Sequence, residues 1–184
     1  MVKHSEKSKF LAMLLRHKPE TLKLEMDTDG WICVAELLSK TNWDLKTLEE
    51  IVESDDKGRY EFCQTINISD RKFIRAVQGH TIKVDLSLEK VVPPNRLYHG
   101  TKILVANKII HHGIKKMKRH HVHLSDNIKT AKEVGQRHKV PEIVFEIDAE
   151  AMNNDGHEFF VSKNGVYLTE YVPSKYLVSG KWEV

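Results

Sequence analysis

The apolar positions of this chain change period along its length, and the changes mark its elements. In "SEKSKFLAMLLRH", residues 5–17, Phe10, Leu11, Leu14 and Leu15 fall on one face of a 3.6-residue repeat. That predicts a helix with Ser5 or Ser8 as its cap and Pro19 just past its end. "VAELLSK" and "DLKTLEEIVES" predict two more helices. The second is capped by Asp44, with Leu45, Leu48, Ile51 and Val52 turned inward. From Arg59 the period falls to two: "RYEFCQ" and "KFIRAVQ" alternate as strands around the turn-forming "NISD". Three short helices followed by a hairpin is the pattern of a winged-helix lobe, a relative of the helix-turn-helix.

In "EKVVPPNR", Pro93 and Pro94 interrupt both helix and strand, which sets a boundary between lobes spanning 1–92 and 93–184. Beyond it the elements mix. "RLYHG" and "HVHLS" predict strands, and "ILVANKIIHH" a helix closed by Gly113. "DNIKTAKEVGQRH" predicts a helix capped by Asp126, followed by strands in "EIVFEID", "EFFVS" and "GVYLT". The expected architecture is two small α+β lobes in tandem.

Charge is distributed unevenly between these lobes. Residues 1–92 hold 15 Lys and Arg against 16 Asp and Glu, a balance of −1, whereas residues 93–184 hold 14 against 10, a balance of +4. No acid occurs between Glu89 and Asp126, a stretch with eight Lys and Arg and six His. A field of one sign attracts anions and raises their local concentration. No run approaches the roughly 20 apolar residues of a membrane span, and "MVKHSEKSKF" lacks the apolar stretch of a secretory signal. Cys33 and Cys63 are the only cysteines, too few for a disulfide framework and without zinc-type spacing. A reducing cytoplasm is the expected setting, with no membrane and no obligate protein partner.

The densest part of the cationic stretch is "KKMKRHHVHLS", residues 115–125. As a strand it turns His121 and His123 to one face and His120 to the other. Two ligands on a face fall short of the three or four that zinc requires, so no metal is expected. In "LYHGT", residues 97–101, a histidine, a bare glycine backbone and a hydroxyl adjoin, as close approach of a flat or phosphorylated ligand needs. Paired with "VHLS", this resembles the NAD-binding face of the ADP-ribosyltransferase fold. No GxGxxG follows a strand, so a Rossmann reading has no support.

Eight blocks in order extend the resemblance nearly end to end: "LLRHKPE", "DGWICVAELL", "DDKGRY", "IRAVQGHTIKVDL", "LYHGT", "RHHVHLS", "VGQRH" and "NGVYLT". Together they resemble the RNA 2′-phosphotransferases, known for removing the splice-junction 2′-phosphate from tRNA. The resemblance implies a winged-helix lobe followed by an ADP-ribosyltransferase-like lobe. It also implies a catalytic set of Arg16, His17, Arg59 and Arg119, with Arg75 as a rival for the third place. It places NAD, as co-substrate, against His99, Gly100, Thr101, His123, Ser125 and Val166. Val166 stands where many ADP-ribosyltransferases carry a glutamate, while Glu170 is expected at the surface.

The implied reaction explains the residue types. An internal phosphomonoester carries close to two negative charges at neutral pH, and arginine grips phosphate bidentately without losing its proton. The RNA 2′-phosphate displaces nicotinamide from NAD, giving an ADP-ribosylated RNA 2′-phosphate. The ribose 2″-hydroxyl then attacks phosphorus and releases 2′-hydroxyl RNA and ADP-ribose 1″,2″-cyclic phosphate. His17 would serve as a proton donor or a phosphate clamp, and Lys115, Lys116 and Lys118 would attract the RNA backbone. Two other readings stay open: an ADP-ribosyltransferase that leaves its group on nucleic-acid phosphate ends, and a non-enzymatic winged-helix nucleic-acid binder.

Overall fold

Helix and strand are mixed in both halves of the chain, as the change of period predicts. The computed structural model describes residues 5–64, 71–135 and 142–178. The chain divides into two units, Met1–Ser87 and Leu88–Val184.

In the first unit the order is α1 (Ser5–Arg16), a 3₁₀ turn at Pro19–Leu22, β1 (Ile32–Cys33), α2 (Val34–Ser39), α3 (Leu45–Glu53), β2 (Tyr60–Gln64) and β3 (Lys72–Ala76). The strands form an antiparallel sheet in the order β1-β3-β2, with Ile32 opposite Ile74 and Tyr60 opposite Ala76. Leu11, Leu14 and Leu15 bring the apolar stripe of α1 onto Leu37, Leu48, Ile51 and Ile74, all fully buried. At roughly 1.5–3 kcal/mol per buried leucine, that stripe fixes which face of α1 turns inward. The hairpin turn expected at "NISD" lies outside the described residues.

Two expectations for this unit need correction. Asp44 does cap α3, accepting the Thr47 N–H at 2.8 Å, but Leu45 is 41% exposed. As the first helical residue it has no preceding turn to cover it. Ser8 lies inside α1 and ties it to β2: the Tyr60 hydroxyl donates to the Ser8 carbonyl at 2.7 Å. The Ser5 side chain lies outside the described residues.

The second unit runs β4 (Glu89–Val91), β5 (Arg96–Lys102), a 3₁₀ turn at Ile103–Val105, α4 (Ala106–His112), β6 (Ile114–Lys115), β7 (Val122–Leu124) and α5 (Ile128–Gly135). It continues with β8 (Glu142–Asp148), α6 (Ala149–Asn154), β9 (Phe159–Val161), β10 (Tyr167–Thr169), β11 (Tyr171–Val172) and a 3₁₀ turn at Ser174–Tyr176. Strands group as β4-β9-β10-β7, β5-β8 and β6-β11, every pair antiparallel. Tyr98 and Ser125 link the first two groups by exchanging main-chain hydrogen bonds of 2.7 and 2.9 Å. Leu97, Phe145, Ile147, Met152 and Phe159 form the centre of the core. Residues 89–91 pair with β9, so the division falls at Ser87/Leu88 rather than at the prolines.

Gly113 closes α4 as predicted. Its N–H donates to the Ile109 carbonyl at 2.7 Å and its φ is +71°. A methyl group there would lie 2.1 Å from the Val172 carbonyl oxygen. The cap of α5 falls one residue later than expected. Asn127, not Asp126, accepts the Lys129 N–H at 2.8 Å and the Thr130 N–H at 3.4 Å. The Ser125 hydroxyl holds the Asn127 N–H at 3.1 Å and sets that turn. Residues 136–138 of the predicted helix lie outside the described residues.

Candidate active site

Each unit builds its own cluster from the residues singled out in the sequence. In the first, α1 ends at Arg16, and His17 follows with its N–H still bonded to the Met13 carbonyl at 3.0 Å. The segment 79–81 closes over this helix end. The Thr81 N–H donates to the Arg16 carbonyl at 2.9 Å, and the Thr81 hydroxyl lies 3.0 Å from His17 Nδ1. Gly79 has φ +91°, and a methyl group there would sit 3.4 Å from Cζ of Arg16, so the guanidinium packs directly on bare backbone.

Arg59 enters the same region just before β2. The carboxylate of Asp55, whose side chain is 1% exposed, accepts both the Arg59 backbone N–H and its guanidinium Nη1. The Val77 N–H donates to the Arg59 carbonyl at 3.0 Å, two residues before the Gly79 that lies against Arg16, and the residue after Arg59 is the buried Tyr60. Burial pushes its hydroxyl pKa up, while the Ser8 hydrogen bond and the Arg16 and Arg59 charges pull against that rise. Neither Asp55 nor Thr81 carries a local signal that marks it as a partner of these residues. Thr81 is 64 positions from His17, beyond any local periodicity.

In the second unit His99, on β5, donates from Nδ1 to the His123 carbonyl at 3.0 Å. A carbonyl only accepts, so the neutral ring carries its proton on Nδ1 and a lone pair on Nε2. Burial pushes the His99 pKa down; the bond to His123 raises it and the Arg119 charge lowers it. Above its ordinary value of 6.5 the ring is therefore neutral. Arg119 Nη1 lies 3.5 Å from His123 Nδ1, at the outer limit of a hydrogen bond. His99, Arg119 and His123 thus meet.

The remaining candidates are placed more loosely. Gly100 and Thr101 continue β5 opposite Val144 and Ile143. Ser125 spends its hydroxyl on the Asn127 turn. Val166 lies in the turn between β9 and β10, where its N–H donates to the Ser162 hydroxyl at 3.2 Å.

Arg75 has other duties. Its Nε donates to Glu61 at 2.6 Å, its Nη1 donates to the Asp29 carbonyl at 2.9 Å, and its guanidinium stacks 4.4 Å from the Trp31 ring centre. Glu170 is exposed, as expected, and pairs with Lys116 at 2.5 Å, so Lys116 is not simply a free cation. His121 packs against Phe160, with ring centres 5.6 Å apart. Among the described residues no group of three or more His, Cys, Asp or Glu could hold a metal, and no helix is long and apolar enough to cross a membrane.

A family model described as RNA 2′-phosphotransferase, Tpt1 / KptA family, matches residues 3–171. A Fusobacterium nucleatum protein named "Probable RNA 2′-phosphotransferase" is 47% identical over 174 residues, covering 92% of this chain and 94% of the relative. Proteins of the same name from Nostoc punctiforme and Hahella chejuensis are 45% and 42% identical. The first alignment covers 92% of this chain and 93% of the relative, the second 95% and 94%.

Proposed function

The chain belongs to the RNA 2′-phosphotransferase, Tpt1 / KptA family, and from that premise we propose that it removes an internal 2′-phosphate from tRNA-like RNA with NAD as co-substrate. The observation that supports this reading is that one segment reaches both arginines: the Val77 N–H donates to the Arg59 carbonyl at 3.0 Å, Gly79 two residues on lies against the Arg16 guanidinium, and Asp55 holds the Arg59 guanidinium. Two guanidinium groups in one region suit a phosphomonoester dianion better than the singly charged diesters around it. In this reading the first unit is a winged-helix lobe, supported by three helices followed by the β2–β3 hairpin. The second is an ADP-ribosyltransferase-like lobe.

The donors of the second unit fit NAD chemically. His99 offers a neutral acceptor at Nε2, Gly100 a backbone without a side chain, and Arg119 a fixed cation beside both histidines. Thr101, Ser125 and Val166 complete the proposed NAD contacts. When bound, NAD supplies the ribose that the 2′-phosphate joins and the nicotinamide that departs. In the first unit Arg16 and Arg59 would hold the phosphate oxygens and offset their charge through the reaction, while in the second Arg119 would supply a cation beside His123. His17 meets the same phosphate as proton donor or clamp.

Incubating the protein with NAD and an oligonucleotide bearing one internal 2′-phosphate tests this. The expected products are 2′-hydroxyl RNA, nicotinamide and ADP-ribose 1″,2″-cyclic phosphate, formed equally well in excess chelator. A stable ADP-ribosylated RNA would favour the alternative transferase reading. No nicotinamide release would end the enzymatic one, and activity lost to chelator and restored by zinc would replace the metal-free site.

A further inference from the structure

The two histidines that anchor the clusters have partners of different chemistry. Nδ1 of His99 faces a main-chain carbonyl, an acceptor only, and so is held in one tautomer. Nδ1 of His17 faces the Thr81 hydroxyl at 3.0 Å. A hydroxyl can donate to a bare Nδ1 or, after rotating about its C–O bond, accept from a protonated one. The same residue is fixed by its backbone, because the Thr81 N–H caps the Arg16 carbonyl at the open end of α1. Gly79 brings the segment close enough to do so, with a backbone at φ +91° laid against the Arg16 guanidinium.

We propose that Thr81 is the positioning residue for His17. Its main chain sets its place against α1, and its hydroxyl holds the imidazole in one orientation whether the ring is neutral or cationic. Nε2 is then the nitrogen presented to the phosphate in either state. The inference deepens the phosphotransferase reading and rests on it for the identity of that phosphate. Thr81 is exposed, so small substitutions there leave the core untouched.

The test compares Thr81→Val, which keeps the shape and removes the hydroxyl, with Thr81→Ser, which keeps the hydroxyl. Their kinetics with NAD and the 2′-phosphorylated oligonucleotide are read beside the ¹⁵N resonances of the His17 ring. Thr81→Val should lower kcat about 10- to 100-fold, the order expected when a reacting group is misplaced by an ångström. The KM for NAD should stay unchanged. Thr81→Ser should stay within about 3-fold of the parent, and only the valine variant should shift the His17 ring nitrogens. Full turnover by Thr81→Val, or an equal loss in Thr81→Ser, would overturn the assignment. If the parent protein releases no nicotinamide, the phosphotransferase reading fails by itself. The ring resonances then decide the contact: unchanged shifts in Thr81→Val remove it, and shifted ones retain it.

Discussion

Asp55 holds Arg59 at both ends, accepting its backbone N–H and its guanidinium through the two oxygens of one carboxylate. The carboxylate is almost wholly buried while the arginine side chain is 24% exposed, so the acid is the fixed partner. Asp55→Asn should therefore lower turnover of 2′-phosphorylated RNA about 10- to 100-fold through a misaimed Arg59. Its stability cost should be about 1–3 kcal/mol, as for hydrogen bonds to charged groups. Denaturant titration beside single-turnover kinetics separates the two effects. Unchanged kinetics in a folded variant would sever Asp55 from the site.

Arg59 and Arg75 are predicted to fail differently. Arg75 serves Glu61, the Asp29 carbonyl and Trp31, so Arg75→Ala should lose stability yet keep its turnover while folded. Arg59→Ala should lose turnover and keep NAD affinity, measurable by titrating NAD into the variant. The reverse pattern would move the third arginine of the site to position 75.

Stability should fall between neutral pH and mildly acidic pH. The pKa values of His99 and His121 are lowered in the fold, first of all by burial. The unfolded chain then binds protons that the folded chain resists. This contribution is present above the ordinary value of 6.5 and is lost as pH falls from there through the folded values. In His99→Gln the unfolding free energy should change less over that window. Asp148 acts separately: its pKa is lowered by the Arg96 hydrogen bond, so its share is lost only below the ordinary 3.8. Equal slopes near pH 6 in parent and variant would remove His99 as a source.

Gly113→Ala should destabilise the second unit by about 3 kcal/mol, the upper range for overpacking. The added methyl group meets the Val172 carbonyl, and φ is positive there as well. Thermal unfolding reads the loss directly. A neutral result would mean that the α4–β6 connection can relax around the methyl group.

At the start of α5 the two candidate caps make opposite predictions. Asn127→Ala should cost about 1 kcal/mol, the usual value of a lost helix cap. Asp126→Ala should stay within about 0.5 kcal/mol, as for an ordinary surface change. Chemical denaturation of both variants settles which residue starts the helix.

The sequence exposed what is local and periodic. The leucines of α1, the Asp44 cap and the β2–β3 alternation repeat at spacings that a window of a dozen residues captures. Strands β1, β6 and β11 span two residues each, too short to carry a period, and α6 hid behind β8. At the start of α5, Asp126 and Asn127 are equivalent by residue type, and only the Ser125 turn chooses between them. In the candidate site, arginine and histidine stood out because few residues suit a phosphate. Asp55 and Thr81 did not, since an acid near a turn and a threonine in a loop are ordinary until the chain folds them onto their partners.

The bridge between Tyr98 and Ser125 has a consequence for His99. In an antiparallel ladder the next pair to exchange main-chain bonds would be Gly100 with His123. Here the His123 carbonyl accepts from the imidazole of His99, so a side chain stands in for a rung of the sheet. Substituting His99 accordingly cuts a ladder as well as a ligand contact. Alanine confounds the two losses, whereas asparagine, whose amide nitrogen stands as far from the backbone as Nδ1 and can still serve as the donor, keeps the rung and isolates what the imidazole adds.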